Sequence, residues 1–445
     1  MDPRSQEDRL VRWLARALLG GFYRRIEVVG QVPASGPLIV AANHHNSVVD
    51  ALLLLAISPR RLRTLANAPL FRHPLLGPPL RAMGALPVHR RQEAGDDPAR
   101  NAELFAATTS TLRAGGAILI FPEGRTQPEP VLLQLRTGAA RMLLAAEAGD
   151  AALHVTLLPV GLVFHEPGRF REGRALVLVG QPVETADLRG AAPERAAREI
   201  TDRLSSALRA RIVEAGDRRT LRLLGLVEEL RREGAGDPPD EPARVAWLQQ
   251  AMGTYRRLRD RREAPLQACR QELERLAEDL DRLGLTNAQL SRRYAPGIVA
   301  SFALRQGFAL LVGAPLALCG LVLHGLPYRA TALVVRSLHR TDEEEATDKI
   351  VAGLLLYPLA WAVEGWAALR LGGAGGLAAF LALLLPAAFC ALSWKERFGR
   401  VAREARALLR LLFQPSLLQG LRARRDALAT QLEELATLDP EVQTR

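Results

Sequence analysis

The run PLIVAANHHNSVVDALLLLA, Pro37 to Ala56, passes from a short branched apolar segment through a polar cluster into a leucine-rich stretch of helical length. The first part, Pro37 to Asn43, is too short for a helix of its own and has no polar residue on either alternate face until its end, so it reads as a strand buried on both sides. Three further runs have this character: Ala117 to Phe121 (AILIF), Val155 to Phe164 (VTLLPVGLVF) and Arg174 to Gly180 (RALVLVG). Helical stretches separate them, at Val48 to Ala56, Pro98 to Arg113, Arg136 to Ala148 and Pro193 to Ala215. The alternation predicts an α/β domain with a largely parallel sheet over residues 26–216.

Around that domain the chain changes character. Residues 1–25 place Leu10, Trp13, Leu14, Ala17, Leu18 and Phe22 at helical spacing among arginines. The arginines leave no unbroken apolar core, so a secretory signal is not expected there; they suit an amphipathic helix, lying on a membrane or packed on its own domain. Residues 217–296 are charged and leucine-periodic, a helical region. Residues 297–394 hold twenty uncharged positions from Gly307 to Leu326, an apolar run from Ile350 to Val363, and 24 uncharged positions from Leu371 to Trp394. Such lengths cross a bilayer, so membrane-embedded helices are expected there. The tail, 395–445, is helical and could pair with the helix at 266–283.

Bulk properties narrow the class. The chain has 445 residues, a net charge of +11 and 48% hydrophobic residues, which excludes a disordered protein. Its three cysteines (Cys269, Cys319 and Cys390) are far apart and exclude a disulfide scaffold or a cysteine zinc site. With 22 aromatic residues and no recognition motif, a nucleic-acid partner is not expected.

Four clusters carry chemistry. In NHHNSVVD, His45 stands five positions before Asp50. A helix starting at Ser47 would let the carboxylate look back at the imidazole, making a base and its orienting partner. The competing explanation is a capping box, Ser47-x-x-Asp50, with both side chains on backbone amides. FPEGRT, Phe121 to Thr126, follows a strand directly, at the end where parallel sheets bind ligands; Gly124 permits close backbone approach and Arg125 offers a planar fork for phosphate. MGALPVHR, Met83 to Arg90, ends a short extended run on an arginine. In LLPVGL, Leu157 to Leu162, Pro159 is expected to end or bend its strand.

In this order and spacing the four clusters resemble the glycerolipid acyltransferase family, the glycerol-phosphate and lysophosphatidate acyltransferases. LRTGAAR, Leu135 to Arg141, is similar to the family's segment after FPEG. The resemblance covers residues 26–215 and implies a fold of that family followed by an all-α region with transmembrane helices. It implies His45 as general base, Asp50 as its partner, and Arg90, Glu123, Gly124 and Arg125 as the grip on an acceptor phosphate. The chain departs in having His44 at the family's asparagine position, and in FPEGR-Thr for FPEG-Thr-Arg. The implied reaction moves a fatty acyl group from a thioester of CoA or acyl carrier protein to a glycerol-phosphate hydroxyl, with glycerol 3-phosphate favoured over lysophosphatidate as acceptor. A lipid-binding scaffold is the competing class. No metal or other cofactor is implied, and the bilayer is the expected partner. The catalytic domain is expected on the cytoplasmic side, Gly372 to Gly376 at a hairpin tip, and Ile298 to Leu326, with Arg305 near its start and Pro315 midway, as a re-entrant or shallow segment.

Overall fold

A computed structural model describes residues 3–72, 77–89, 101–127, 129–148, 150, 152–165, 173–232, 241–261, 264–291, 296–337, 345–413 and 415–437. The chain divides into two compact units, one of residues 1–218, 239–249 and 340–350, the other of residues 219–238, 250–339 and 351–445.

The first unit is built on a seven-stranded sheet: β1 (Arg25–Val29), β2 (Leu38–Ala42), β3 (Leu62–Asn67), β4 (Leu86–Val88), β5 (Ala117–Ile120), β6 (Thr156–His165) and β7 (Arg174–Val179), in the order β1-β7-β6-β2-β5-β3-β4. Every pairing is parallel except β6 with β7. The expected largely parallel α/β domain is therefore the observed one. β2 and β5 lie inside the sheet and are buried along their whole length. Successive β2 side chains feed opposite faces, as the pleat requires. Leu38, Val40 and Ala42 pack with Leu19 and Phe22 of α1 (Pro3–Phe22) and Leu53 and Leu54 of α2 (Val48–Ile57). Ile39 and Ala41 pack with Leu112 of α4 (Asn101–Arg113; α3 is Gly77–Ala82), Leu143 of α5 (Gly138–Glu147) and Ile200 of α6 (Pro193–Arg209). Each such fully buried Leu or Ile contributes roughly 1.5–3 kcal/mol over leaving it in water.

Two expectations need correction here. Pro159 does not end its strand: β6 runs through it, pairing with β2 up to Val160 and with β7 from Val160 onward. The Pro159 carbonyl accepts the Gly180 amide at 2.8 Å, so the antiparallel pairing reaches the proline through its acceptor alone. The strands β1 and β3 were not among the apolar runs, because Arg25, Glu27 and Arg63 interrupt them at or near the sheet margins, whereas β4 is the short extended run expected within Met83 to Arg90.

The second unit is helical. α9 (Ala264–Leu283) and α13 (Pro415–Thr437) share a leucine core of Leu273, Leu276, Leu280, Leu421, Leu428 and Leu435, with α7 (Arg218–Arg231) and α10 (Asn287–Ser291) contributing. Arg424 bridges to Asp279 at 2.8 Å across that pair, so the expected pairing of tail and 266–283 helix forms. α8 (Glu241–Asp260) is divided between the units after residue 249. Among the described residues two helices are long and apolar enough to cross a membrane, α11 (Pro296–Ser337) and α12 (Glu345–Phe413). Their large side chains face outward, with Leu311 75%, Val322 76% and Leu371 90% exposed, the reverse of a helix in a water-soluble core. α12 breaks at Gly373 (φ 60°), after which Phe380 returns against Gly365 and Gly376 against the Ala368 carbonyl. The expected hairpin at Gly372 to Gly376 is thus present. α11, by contrast, is continuous through Pro315, so no turn occurs there; at Gly320 it crosses α12 so closely that a Cβ would fall on the Ala387 carbonyl.

Candidate active site

The site is assembled at the carboxyl ends of β2 and β5. Asn43 closes β2: its side chain donates to the Leu162 carbonyl at 2.9 Å and accepts the Leu162 amide at 2.7 Å, extending the β2–β6 ladder by one side-chain rung. The chain then turns through His44 to Ser47, and Ser47 adopts φ 48°, the only positive φ outside glycine among the described residues. α2 begins at Val48, placing the buried Asp50 in its first turn.

Asp50 Oδ2 takes three donors: the His44 ring Nδ1 at 2.8 Å, the His45 amide at 2.9 Å and the Asn46 amide at 2.8 Å. The imidazole facing the carboxylate is therefore His44, and the expected ring contact between His45 and Asp50 is not the one formed. The strained Ser47 turn rotates the main chain so that the longer spacer, not the four-residue one, brings ring and carboxylate together. The capping box is also absent, since Ser47 makes no side-chain cap. With Nδ1–H donated to Asp50, His44 carries its lone pair on Nε2. The His45 Nδ1 lies 3.1 Å from the Gln127 carbonyl; a carbonyl only accepts, so His45 is held in the same tautomer but without a carboxylate behind it.

The FPEGR turn is stitched to this histidine turn. Glu123 is 3% exposed, and its two oxygens accept the His44 amide at 2.8 Å and the Leu133 amide at 2.9 Å. Burial pushes its carboxyl pKa up, opposed by the Leu133 and His44 hydrogen bonds and the neighbouring imidazoles. Glu123 thereby ties the His44 turn to the segment at Leu133. Gln127 donates its amide to the His44 carbonyl at 3.2 Å, and the Phe121 ring stacks on the His44 ring at 4.0 Å and 13°. Gly124 has φ +72°, and a Cβ there would lie 2.7 Å from Arg136 Nε. Its amide donates to the Phe121 carbonyl and is thereby committed to the turn. Arg125 is exposed beside it.

Among the described residues neither Arg125 nor Arg136 pairs with a carboxylate. Arg136 is the cation that the sequence signalled only as part of LRTGAAR. Arg90 lies outside the described residues. No group of three or more metal-ligating side chains occurs among the described residues.

At the carboxyl ends of β2 and β5 the structure thus brings together an imidazole backed by a buried carboxylate, the exposed Arg125 and, beside Gly124, Arg136, groups able to take a proton and to hold an anion. Residues 25–163 match the family described as Acyltransferase. An uncharacterized acyltransferase of Schizosaccharomyces pombe is 25% identical over 303 residues, 48% of this chain and 45% of that protein. Glycerol-3-phosphate O-acyltransferase 2 of Saccharomyces cerevisiae is 36% identical over 83 residues, 19% of this chain and 11% of its own. The 1-acyl-sn-glycerol-3-phosphate acyltransferase of Bacillus subtilis is 25% identical over 158 residues, 35% of this chain and 71% of its own. The match thus spans less than half the length of the first two relatives. Over residues 25–163 the chain is thus similar to acyltransferases, glycerolipid acyltransferases among them.

Proposed function

We propose that the protein is a membrane-bound O-acyltransferase that moves a fatty acyl group from a thioester, of CoA or acyl carrier protein, to the hydroxyl of a glycerol phosphate. The observation that carries this is the His44–Asp50 pair at 2.8 Å, set against the FPEGR turn. His44 Nε2 removes the hydroxyl proton as the oxygen attacks the thioester carbonyl, and Asp50 stabilises the imidazolium that forms. Collapse of the tetrahedral intermediate expels the thiolate, which takes that proton as the free thiol. Arg125 and Arg136 hold the acceptor phosphate so that its hydroxyl arrives oriented; Arg90 is proposed for the same task from its sequence position. Glycerol 3-phosphate is the favoured acceptor, supported by the yeast relative's name, and lysophosphatidate is the second reading, supported by the bacillar one. α11 and α12 anchor the enzyme in the bilayer, with the α/β unit on the cytoplasmic side.

The test is the purified chain in detergent, given labelled acyl-CoA or labelled acyl carrier protein thioester with glycerol 3-phosphate, dihydroxyacetone phosphate or lysophosphatidate. Acylation of one acceptor that is lost in His44→Ala supports the assignment. Binding of lipid without acyl transfer from either thioester would make the protein a scaffold.

A further inference from the structure

One buried side chain outside this machinery bears directly on it. Tyr23 follows α1 and is 2% exposed; its hydroxyl accepts the Asn46 side-chain N–H at 2.6 Å. Asn46, itself 1% exposed, passes its main-chain N–H to Asp50 Oδ2, the oxygen that receives the His44 ring. Tyr23, Asn46, Asp50 and His44 therefore stand in series. Next to Asn46 is Ser47, whose φ of 48° is one that non-glycine residues hold only where neighbours over-determine the turn. The tyrosine is itself fixed, by its amide on the Leu19 carbonyl at 2.7 Å and by ring contacts with Phe22 at 5.2 Å and Phe164 at 6.0 Å. Burial and the charge of Asp50 push its phenol pKa up, so the hydroxyl stays protonated and polar.

We propose that Tyr23 is a positioning residue for the reaction: through the Asn46 amide it pins the histidine turn so that Asp50 stays against the His44 ring. The proposal rests on the acyl-transfer reading for its consequence and on the hydrogen bonds alone for its geometry. A tyrosine that only filled its pocket would lose nothing specific to the dyad when its hydroxyl was removed, because the ring contacts remain in phenylalanine.

The experiment compares Tyr23→Phe, Asn46→Ala and the double variant as full chains in detergent. Each single variant is expected to lower kcat about tenfold, the scale of a small misplacement of a reacting group, with the KM for acyl-CoA and for glycerol 3-phosphate within about twofold of wild type. Because the two residues act in series, the double variant falls no further than the worse single one. Independently of turnover, the downfield proton resonance of the His44 Nδ1–H, identified by its loss in His44→Gln, moves upfield in both variants. Wild-type kcat and an unmoved resonance in Tyr23→Phe overturn the proposal, as do losses that multiply in the double variant. A wild-type chain that transfers no acyl group overturns the acyl-transfer reading instead, and the resonance still decides the role of Tyr23.

Discussion

His44 and Asp50 are joined ring to carboxylate at 2.8 Å, Nδ1 to Oδ2, whereas the adjacent His45 reaches the same oxygen only through its main-chain amide. A carboxylate behind the ring stabilises the imidazolium; a carboxylate on the main-chain amide only shapes the turn. His44→Ala should therefore lower turnover by at least about 100-fold, the lower end for loss of a general base. His45→Ala removes one ring contact, to the Gln127 carbonyl, and should stay within about tenfold of wild type. Steady-state rates of both variants decide it, and the reverse order would return the base to His45.

The same pair marks the limit of what the sequence carried. The buried strands were legible because Leu38–Ala42 and Ala117–Ile120 are uninterrupted apolar runs too short to be helices. The margins of the sheet were not, because β1 and β3 carry charged residues that solvent accepts. The site's location was legible too, since motif and strand end coincide. Which histidine faces Asp50 was not, because it turns on the φ of Ser47, a main-chain choice that serine does not advertise as glycine would. The two backbone donors of Glu123 were likewise not legible, because they come from His44 and Leu133, 79 and 10 positions away.

Ser47 offers a direct check on that turn. A non-glycine residue so held costs roughly 1–3 kcal/mol, and glycine gives back about 0.5–1 kcal/mol through its unfolded-state entropy. Ser47→Gly should thus be neutral to stabilising by up to about 2 kcal/mol in thermal melts, with activity retained. Ser47→Val, branched at Cβ, should unfold the turn and abolish activity. Marked destabilisation by glycine would mean that the serine side chain itself holds the turn.

Arg125 and Arg136 flank Gly124 without acidic partners among the described residues, leaving their forks for a phosphate. Removing one charge-assisted hydrogen-bonding group costs about 1.5–3 kcal/mol. Arg125→Ala and Arg136→Ala should each raise the acceptor KM by about tenfold or more while the acyl-donor KM holds. A defect confined to the donor would move that arginine to the thioester side.

Burial raises the Glu123 carboxyl pKa above its unfolded value, which fixes a sign. The folded state holds the proton more tightly than the unfolded one, so stability falls as pH rises from the ordinary carboxylate range through the raised value. Glu123→Gln does not titrate and lacks this slope, although its amide must face one backbone donor, which costs roughly 1–3 kcal/mol. The melting temperature of wild type minus that of Glu123→Gln, measured between about pH 4 and about pH 7, should fall as pH rises. A difference that rises with pH would mean that the ionised carboxylate is the favoured form.

The hairpin at Gly373 makes a topological prediction. Lys395, Arg397, Arg400, Arg403, Arg406 and Arg410 follow the second apolar arm, and arginine and lysine so close to a span keep that flank cytoplasmic, acidic neighbours such as Glu396 and Glu404 counting for little. Two antiparallel arms, broken where Gly376 meets the Ala368 carbonyl, then put the turn on the far side. Single-cysteine labelling of intact cells tests this on a background with Cys269, Cys319 and Cys390 replaced. A reporter replacing Gly375 should react with an impermeant reagent, while one replacing Pro440 should react only after permeabilisation. Because α11 runs unbroken through Pro315, it has the length to span as well. External labelling at 440 would establish that third crossing and place the basic flank outside, against the charge rule.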